Sequence, residues 1–335
     1  MSNVTIKILA KQLNLSPGSV SKALKDSHEI SIETKKRVNK LAQKLNYIPN
    51  PYASSLRKKK SKTIAVVLPE VDDSFFSLAI KGIEAVAQNK GYHVLIYLTH
   101  ESVAKEKAIF EELKSGRVDG VLISISRETR TSKHIHDLQL TAIPIVFFDR
   151  VSEDIDTAKV VTNDFESGCT ATEHLIKKGC KRIIYLSISK NLSITNNRMK
   201  GFKKALADHN MKIRGTTLFC TNDRLKDLQT FRKLMERKKH PDGIIVSVEG
   251  LIIPIYEICH ELQLSIPRDV KIIGFSNLPS AVILNPSLTT ITQPAYEMGK
   301  VAVSLLFKAL EKDTFKLSKE NIILSSALNI RKSTT

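Results

Sequence analysis

No stretch of the 335 residues holds the 18 or so consecutive apolar side chains that a membrane-crossing helix needs. The N-terminal stretch MSNVTIKILAKQLNLS has no clean apolar core either, because Lys7 and Lys11 interrupt it; it reads as no secretion signal, and a cytoplasmic protein is expected. Cys169, Cys180, Cys220 and Cys259 are scattered without CxxC spacing, which argues for reduced thiols and against a disulfide framework or zinc site. No HExxH set exists; His134 and His136, two apart, read as solvated residues at a helix start. The glycine patterns GxGxxG (after a strand) and GxxxxGK[ST] are missing, as is the GxSxG nucleophile turn. No cofactor, metal or enzymatic activity is expected.

What is present is positive charge, unevenly spread. The net charge is +18. Residues 1–62 hold 14 Lys/Arg against 3 Asp/Glu, while residues 63–335 hold 38 against 31. A small basic head on a milder body suggests a polyanionic partner. Hydrophobic content of 42% with 26% charged residues is ordinary for globular domains, and the length suits two or three folded units.

In the head, Ile6, Leu9, Ala10 and Leu13 fall on one helical face after a possible Thr5 cap. Ser16 followed by Pro17 starts a second helix: the hydroxyl can cap free N–H groups, and proline loses nothing at the first position. Val20, Ala23 and Leu24 then face inward and Ser19, Ser21 and Lys22 outward. Ser31 can cap a third helix over 32–47, with Val38, Leu41, Ala42 and Leu45 on its buried stripe. Two short helices joined by a tight turn and braced by a third form a helix-turn-helix pattern. Pro49 and Pro51 end it, and PYASSLRK leads into RKKKSK, the densest positive run in the chain. Eight residues without a core make a marginal helix, which orders only when something stabilises it.

From Thr63 strands and helices alternate. TIAVVLP, HVLIYLT, GVLISIS and IVFFDR read as buried strands, and CKRIIYLSIS, TTLFCT, GIIVSVE and VKIIGFSN repeat the scheme. The fold class expected is α/β: two doubly wound parallel-sheet lobes, like periplasmic binding proteins, carrying a small all-α helix-turn-helix domain. RVDGVLIS (117–124) and HPDGIIVS (240–247) are a faint internal echo of two lobes of one design. Ligands of open parallel sheets bind beyond the carboxyl ends of the strands. The candidates there are Asp73, Ser74, Ser124, Ser126, Asp149, Arg150, Asn163, Asp164, Glu249, Ser276 and Asn277.

The run from TIKILAKQLNLSPGSVSKALKD through YIPNPYASSLRKKKSKTIAVVLPE resembles the lactose-repressor/galactose-repressor family of bacterial transcription regulators, and the likeness extends along the rest of the chain. The resemblance implies a helix-turn-helix domain over 1–48, a hinge helix over 49–62 that folds on operator DNA, and a two-lobed effector-binding and dimerisation domain over 63–335. It implies DNA contacts from Thr5, Ser16, Pro17, Gly18, Ser19, Ser21 and Lys22, and in the hinge from Asn50, Tyr52, Ala53, Leu56, Arg57 and Lys59. Leu56 would wedge into the minor groove while the cations meet phosphates. In the body it implies Phe75 and Phe76 against an effector, Arg198 as the effector-contacting arginine, and Glu249 in the place of an aspartate. A sugar or sugar derivative fits arginine, carboxylates and aromatics; a nucleobase or a protein corepressor stays open as an alternative. Some positions depart from the pattern. Ile8 replaces an acidic residue, Pro17 and Gly18 offer no side-chain hydrogen bond to a base, Lys22 replaces an arginine, and Pro254 lies within a helix. No leucine-heptad tail follows NIILSSALNIRKSTT, so a homodimer is expected. Two other readings are weaker. A sugar receptor without DNA readout leaves the basic head unexplained, and an enzyme using Asp149 and Glu249 lacks supporting motifs. On the regulator reading Leu56→Ala weakens operator binding; unchanged affinity in a filter or gel-shift titration would remove the wedge.

Overall fold

The computed structural model describes residues 4–47, 61–209, 213–221, 223–312 and 314–335. The chain divides into two compact units, Met1–Ser61 and Lys62–Thr335.

In the first unit, α1 (Ile6–Leu13), α2 (Pro17–Leu24) and α3 (Ile32–Lys44) enclose Leu9, Ala10, Val20, Ala23, Val38 and Ala42. Ser16 Oγ accepts the Ser19 N–H at 3.0 Å and Ser31 Oγ accepts the Thr34 N–H at 3.3 Å, so both caps form. Thr5 stands at the N-cap position of α1, but its hydroxyl makes no capping bond. The third helix stops at Lys44, short of the expected 47, and Asn46 takes a left-handed φ of 48°. The expected hinge helix and its residues Asn50, Tyr52, Ala53, Leu56, Arg57 and Lys59 lie outside the described residues.

The second unit begins with β1 (Thr63–Leu68), α4 (Ser74–Asn89), β2 (His93–Leu98), α5 (Val103–Leu113), β3 (Gly120–Ile123), α6 (Lys133–Gln139), β4 (Ile145–Phe148) and β5 (Lys159–Thr162). It continues through α7 (Asp164–Lys177), β6 (Arg182–Ser187), α8 (Ser193–Asp208), β7 (Arg214–Phe219), α9 (Arg224–Met235), β8 (Gly243–Val246), α10 (Ile252–Glu261), β9 (Lys271–Phe275) and β10 (Thr289–Thr292). It closes with α11 (Ala295–Glu311), β11 (Asn321–Leu324) and β12 (Ala327–Asn329). Two six-stranded sheets result, ordered β11-β5-β4-β3-β1-β2 and β12-β10-β9-β8-β6-β7. All pairs are parallel except β10 with β12. The chain therefore crosses between lobes three times, after β5, after β10 and after β11.

The 117–124 and 240–247 echo is a real correspondence. Ile64 pairs with Gly120 in the first sheet and Ile183 with Gly243 in the second. The aspartate before each glycine accepts the backbone N–H leading into its sheet: Asp119 from Lys62 at 3.0 Å, Asp242 from Arg182 at 2.7 Å. Pro254 is accommodated because it falls in the first turn of α10, where its missing N–H costs no bond.

Three expectations need correction. The stretches HVLIYLT and TTLFCT are not buried strands: β2 and β7 are sheet edges with one neighbour each, and Leu95 and Ile96 are exposed. The strands β5, β10, β11 and β12, three or four residues long, were not expected; only their neighbours in the sheet reveal them. His134 is not solvated. It is 5% exposed, with Nε2 2.8 Å from Glu106 Oε1, because α6 packs its first turn on α5.

Each lobe has a helix pair in near backbone contact. A methyl group on Gly82 or Gly299 would press on the carbonyls of Tyr296 or Ala79 where α4 meets α11, and Gly168 and Gly201 do the same for α7 and α8. Gly299→Ala is therefore expected to destabilise the protein by about 1–3 kcal/mol in urea unfolding. Gly250→Ala, where nothing lies within 4 Å, should stay within about 0.5 kcal/mol.

Candidate functional site: the cleft between the lobes

Strand ends from both sheets open onto one cleft, as the parallel topology requires. Its lining includes Asp73, Phe75, Phe76, Asp149, Arg150, Arg198, Ser247, Glu249, Phe275, Ser276, Asn277 and Gln293. Seven of the nine effector residues inferred from sequence meet there: Asp73, Phe75, Phe76, Asp149, Arg198, Glu249 and Asn277. Ser124 and Asn163 do not line it. The Ser124 hydroxyl is fully buried and accepts the Arg150 N–H at 3.4 Å. Asn163 belongs to the crossover: its Oδ1 accepts the Ser326 N–H at 2.8 Å and so ties the first crossing to the third. Ser247, Phe275 and Gln293 went unnoticed in the sequence, although Ser247 follows β8 and Phe275 ends β9, so the strand-end rule could have found both.

Arg198 is the most buried cation of the site, 2% exposed. Its Nε donates to Asp164 Oδ1 at 2.6 Å and its Nη1 to the Ser247 carbonyl at 2.9 Å, and the guanidinium lies 4.3 Å from the Phe275 ring centroid. Nη2 is buried and has no acceptor among the described residues. Arg150 is anchored differently, by two bonds of 2.8 and 3.0 Å from Nη1 to the Glu101 carboxylate, with Phe76 5.6 Å beneath it. Phe75 and Phe76 pack edge to face, 5.3 Å apart.

Carboxyls outnumber these arginines. Asp149 adopts a left-handed φ of 61° at the end of β4, a conformation that costs free energy in a residue with a Cβ and aims its side chain into the cleft. Burial pushes its pKa up to about 7 despite Arg150 and Arg198 beside it. Asp73 caps α4 by accepting the Phe75 N–H at 2.9 Å; burial and the Glu249 charge push it up to about 6. The Glu249 carboxylate takes the Ser74 N–H (2.9 Å), the Ser74 hydroxyl (2.5 Å), the Ser276 hydroxyl (2.5 Å) and the Asn277 N–H (3.1 Å). Such an arrangement binds polar ligands through fixed donors and acceptors.

In the head, Ser16, Pro17, Gly18, Ser19, Ser21 and Lys22 lie at the start of α2 and along it, and Thr5 stands at the start of α1. A methyl group on Gly18 would meet Ser16 Oγ at 3.6 Å, an ordinary contact, and the Ser19 hydroxyl is drawn to the same oxygen at 2.9 Å. Lys22 pairs with Glu29, a partner that sequence spacing did not suggest.

Comparison with known proteins agrees with both parts. Residues 5–50 match the family model for bacterial regulatory proteins of the lacI family, and residues 172–334 match a periplasmic binding protein-like domain. The ribose operon repressor of Halalkalibacterium halodurans is 31% identical over 318 residues, 93% of each chain. The chain belongs to the lacI family of bacterial regulatory proteins. As a member it is a DNA-binding transcription regulator and not an enzyme. The catabolite control protein A of Staphylococcus xylosus is 29% identical over 337 residues, 99% of each chain. The lac repressor dimer bound to operator and the anti-inducer ONPF has the same fold, with a TM-score of 0.85 over 99% of both chains at 21% identity. No helix among the described residues of this lacI-family chain is long and apolar enough to cross a membrane.

The raised carboxyls have a signed consequence. A folded-state pKa of about 7 for Asp149, against about 3.9 unfolded, means that the folded protein holds the proton more tightly. That stabilisation is full below about pH 4 and is lost as pH rises to about 7. Asp149→Asn should flatten the fall in stability over this window, on the order of 4 kcal/mol, when urea unfolding is followed against pH.

Proposed function

We propose that the chain works in the cytoplasm as a homodimeric repressor of two-fold symmetric operator DNA, controlled by a sugar or sugar derivative bound between the lobes. The observation that carries the effector part is the buried, acceptor-less Nη2 of Arg198 in a cleft to which both lobes bring carboxyls, hydroxyls and phenylalanines. A sugar hydroxyl supplies the missing acceptor and donates in turn to a carboxylate, while its apolar face meets Phe75 or Phe76. The names of the relatives, a ribose operon repressor and a catabolite control protein, belong to the same area of carbohydrate control. Effector and operator would be coupled through the lobe angle, with a free energy of about 1–3 kcal/mol. Ser21 and Lys22 are the base-reading side chains in this proposal, because Pro17 and Gly18 have nothing to donate.

Selection of bound DNA from a random pool by the full-length protein tests it. The expected product is a palindrome with half-sites about one helical turn apart. Binding that follows salt alone, without sequence preference, would defeat the proposal. Lys22→Ala should relax base preference at one position per half-site, by about 1–3 kcal/mol. A loss equal across all sequences would instead assign Lys22 to phosphate.

A further inference from the structure

We infer that Glu249 is a ligand built into the chain: its carboxylate occupies the cleft and bridges the lobes, so that they close without a small molecule and an effector must displace it. The inference deepens the proposed function and rests on the cleft being the regulatory site.

Glu249 follows β8, Ser247 and Val248 in the second lobe, yet two of its four hydrogen bonds reach Ser74, the first residue of α4 in the first lobe. The other two return to Ser276 and Asn277 after β9 in its own lobe. Every donor that a ligand oxygen would seek at this point is already taken. The first-lobe partner also sits at a helix N-terminus, where the exposed N–H groups and the helix dipole favour an anion. The aspartate expected here by resemblance is one methylene shorter; the longer side chain supplies the reach across the cleft.

The space is independent evidence. The cleft cavity measures about 20 Å³, room for about one water molecule, whereas ligand pockets run to about 300–1,000 Å³. Larger openings of about 570 and 640 Å³ have other linings, and Arg130, Lys190 and Asn191 border both. Closure is therefore already complete around Glu249, in contrast to a preformed site waiting for its occupant. Arg198 Nη2, Arg150 Nε and the Ser247 hydroxyl are buried donors of the lining that the carboxylate does not serve, which gives an incoming hydroxyl its foothold once the lobes part.

Hydrogen exchange of the full-length protein, read by mass spectrometry with no small molecule added, tests this directly. The Ser74 and Asn277 amides donate to Glu249, one in each lobe, so peptides covering both should be protected in the wild type. In Glu249→Ala both should exchange about tenfold faster, because each amide loses a charged acceptor. Peptides from β1 and β6 serve as the folding control and should not change. Glu249→Gln, which keeps the volume and loses the charge, should show a smaller rise at the same two places. Unchanged protection in Glu249→Ala overturns the inference, and so does a response confined to the Asn277 peptide, since the bridge would then be absent. The outcome does not depend on DNA selection. A latch lost in both lobes stands even if no operator emerges, and an operator found beside unchanged exchange leaves the regulator reading intact while removing the latch.

Discussion

A guanidinium deprived of water must be paired, and the burial of Arg198 organises much of the body around that requirement. Several kcal/mol of desolvation penalty falls on such an ion unless good geometry offsets it. Asp164 at the start of α7, the Ser247 carbonyl at the end of β8 and the Phe275 ring at the end of β9 meet this need from three elements. The close passage of α7 over α8 through Gly168 and Gly201 brings Asp164 within 2.6 Å of the arginine. Packing of helices, an ion pair and the wall of a cleft are thus one constraint.

Around that cation the cleft carries more acid than base. Arg198 is largely satisfied by Asp164, and Arg150 is turned toward Glu101, so Asp73, Asp149 and Glu249 share a poorly neutralised interior. Glu249 is stabilised by four donors, whereas Asp149, held in a left-handed conformation, gains most from keeping its proton. Sites that mix strain, raised carboxyl pKa values and an unfilled donor are where proteins recognise ligands.

The two lobes share one plan and are joined by three crossings tied together by side chains. Asn163 and Gln293 link the crossings through bonds of 2.8 and 3.4 Å to the Ser326 N–H and the Thr162 hydroxyl. These short polar ties hold the crossings in register, and an apolar cluster also joins the lobes: Leu192 and Ile194 of the second lobe are buried with Ile125, Val151 and Ile155 of the first.

The amino-acid order alone determined the three helices of the head, because cap residues, prolines and apolar spacing are local signals. It also determined the α/β alternation and most cleft-facing residues, because a strand end is where a parallel sheet presents side chains to a ligand. Tertiary structure decided what depends on neighbours. The period of β2 and β7 could not tell an edge from a centre, and strands of three or four residues such as β11 and β12 exist only through the sheet they join. His134 looked solvated until α5 supplied Glu106, and Asn163 looked like a cleft residue until a third crossing arrived 163 positions later. The bridge from Glu249 to Ser74 spans 175 positions, and no local pattern records a distance of that kind. Local chemistry can name a carboxylate; only the packed chain decides which donors it meets.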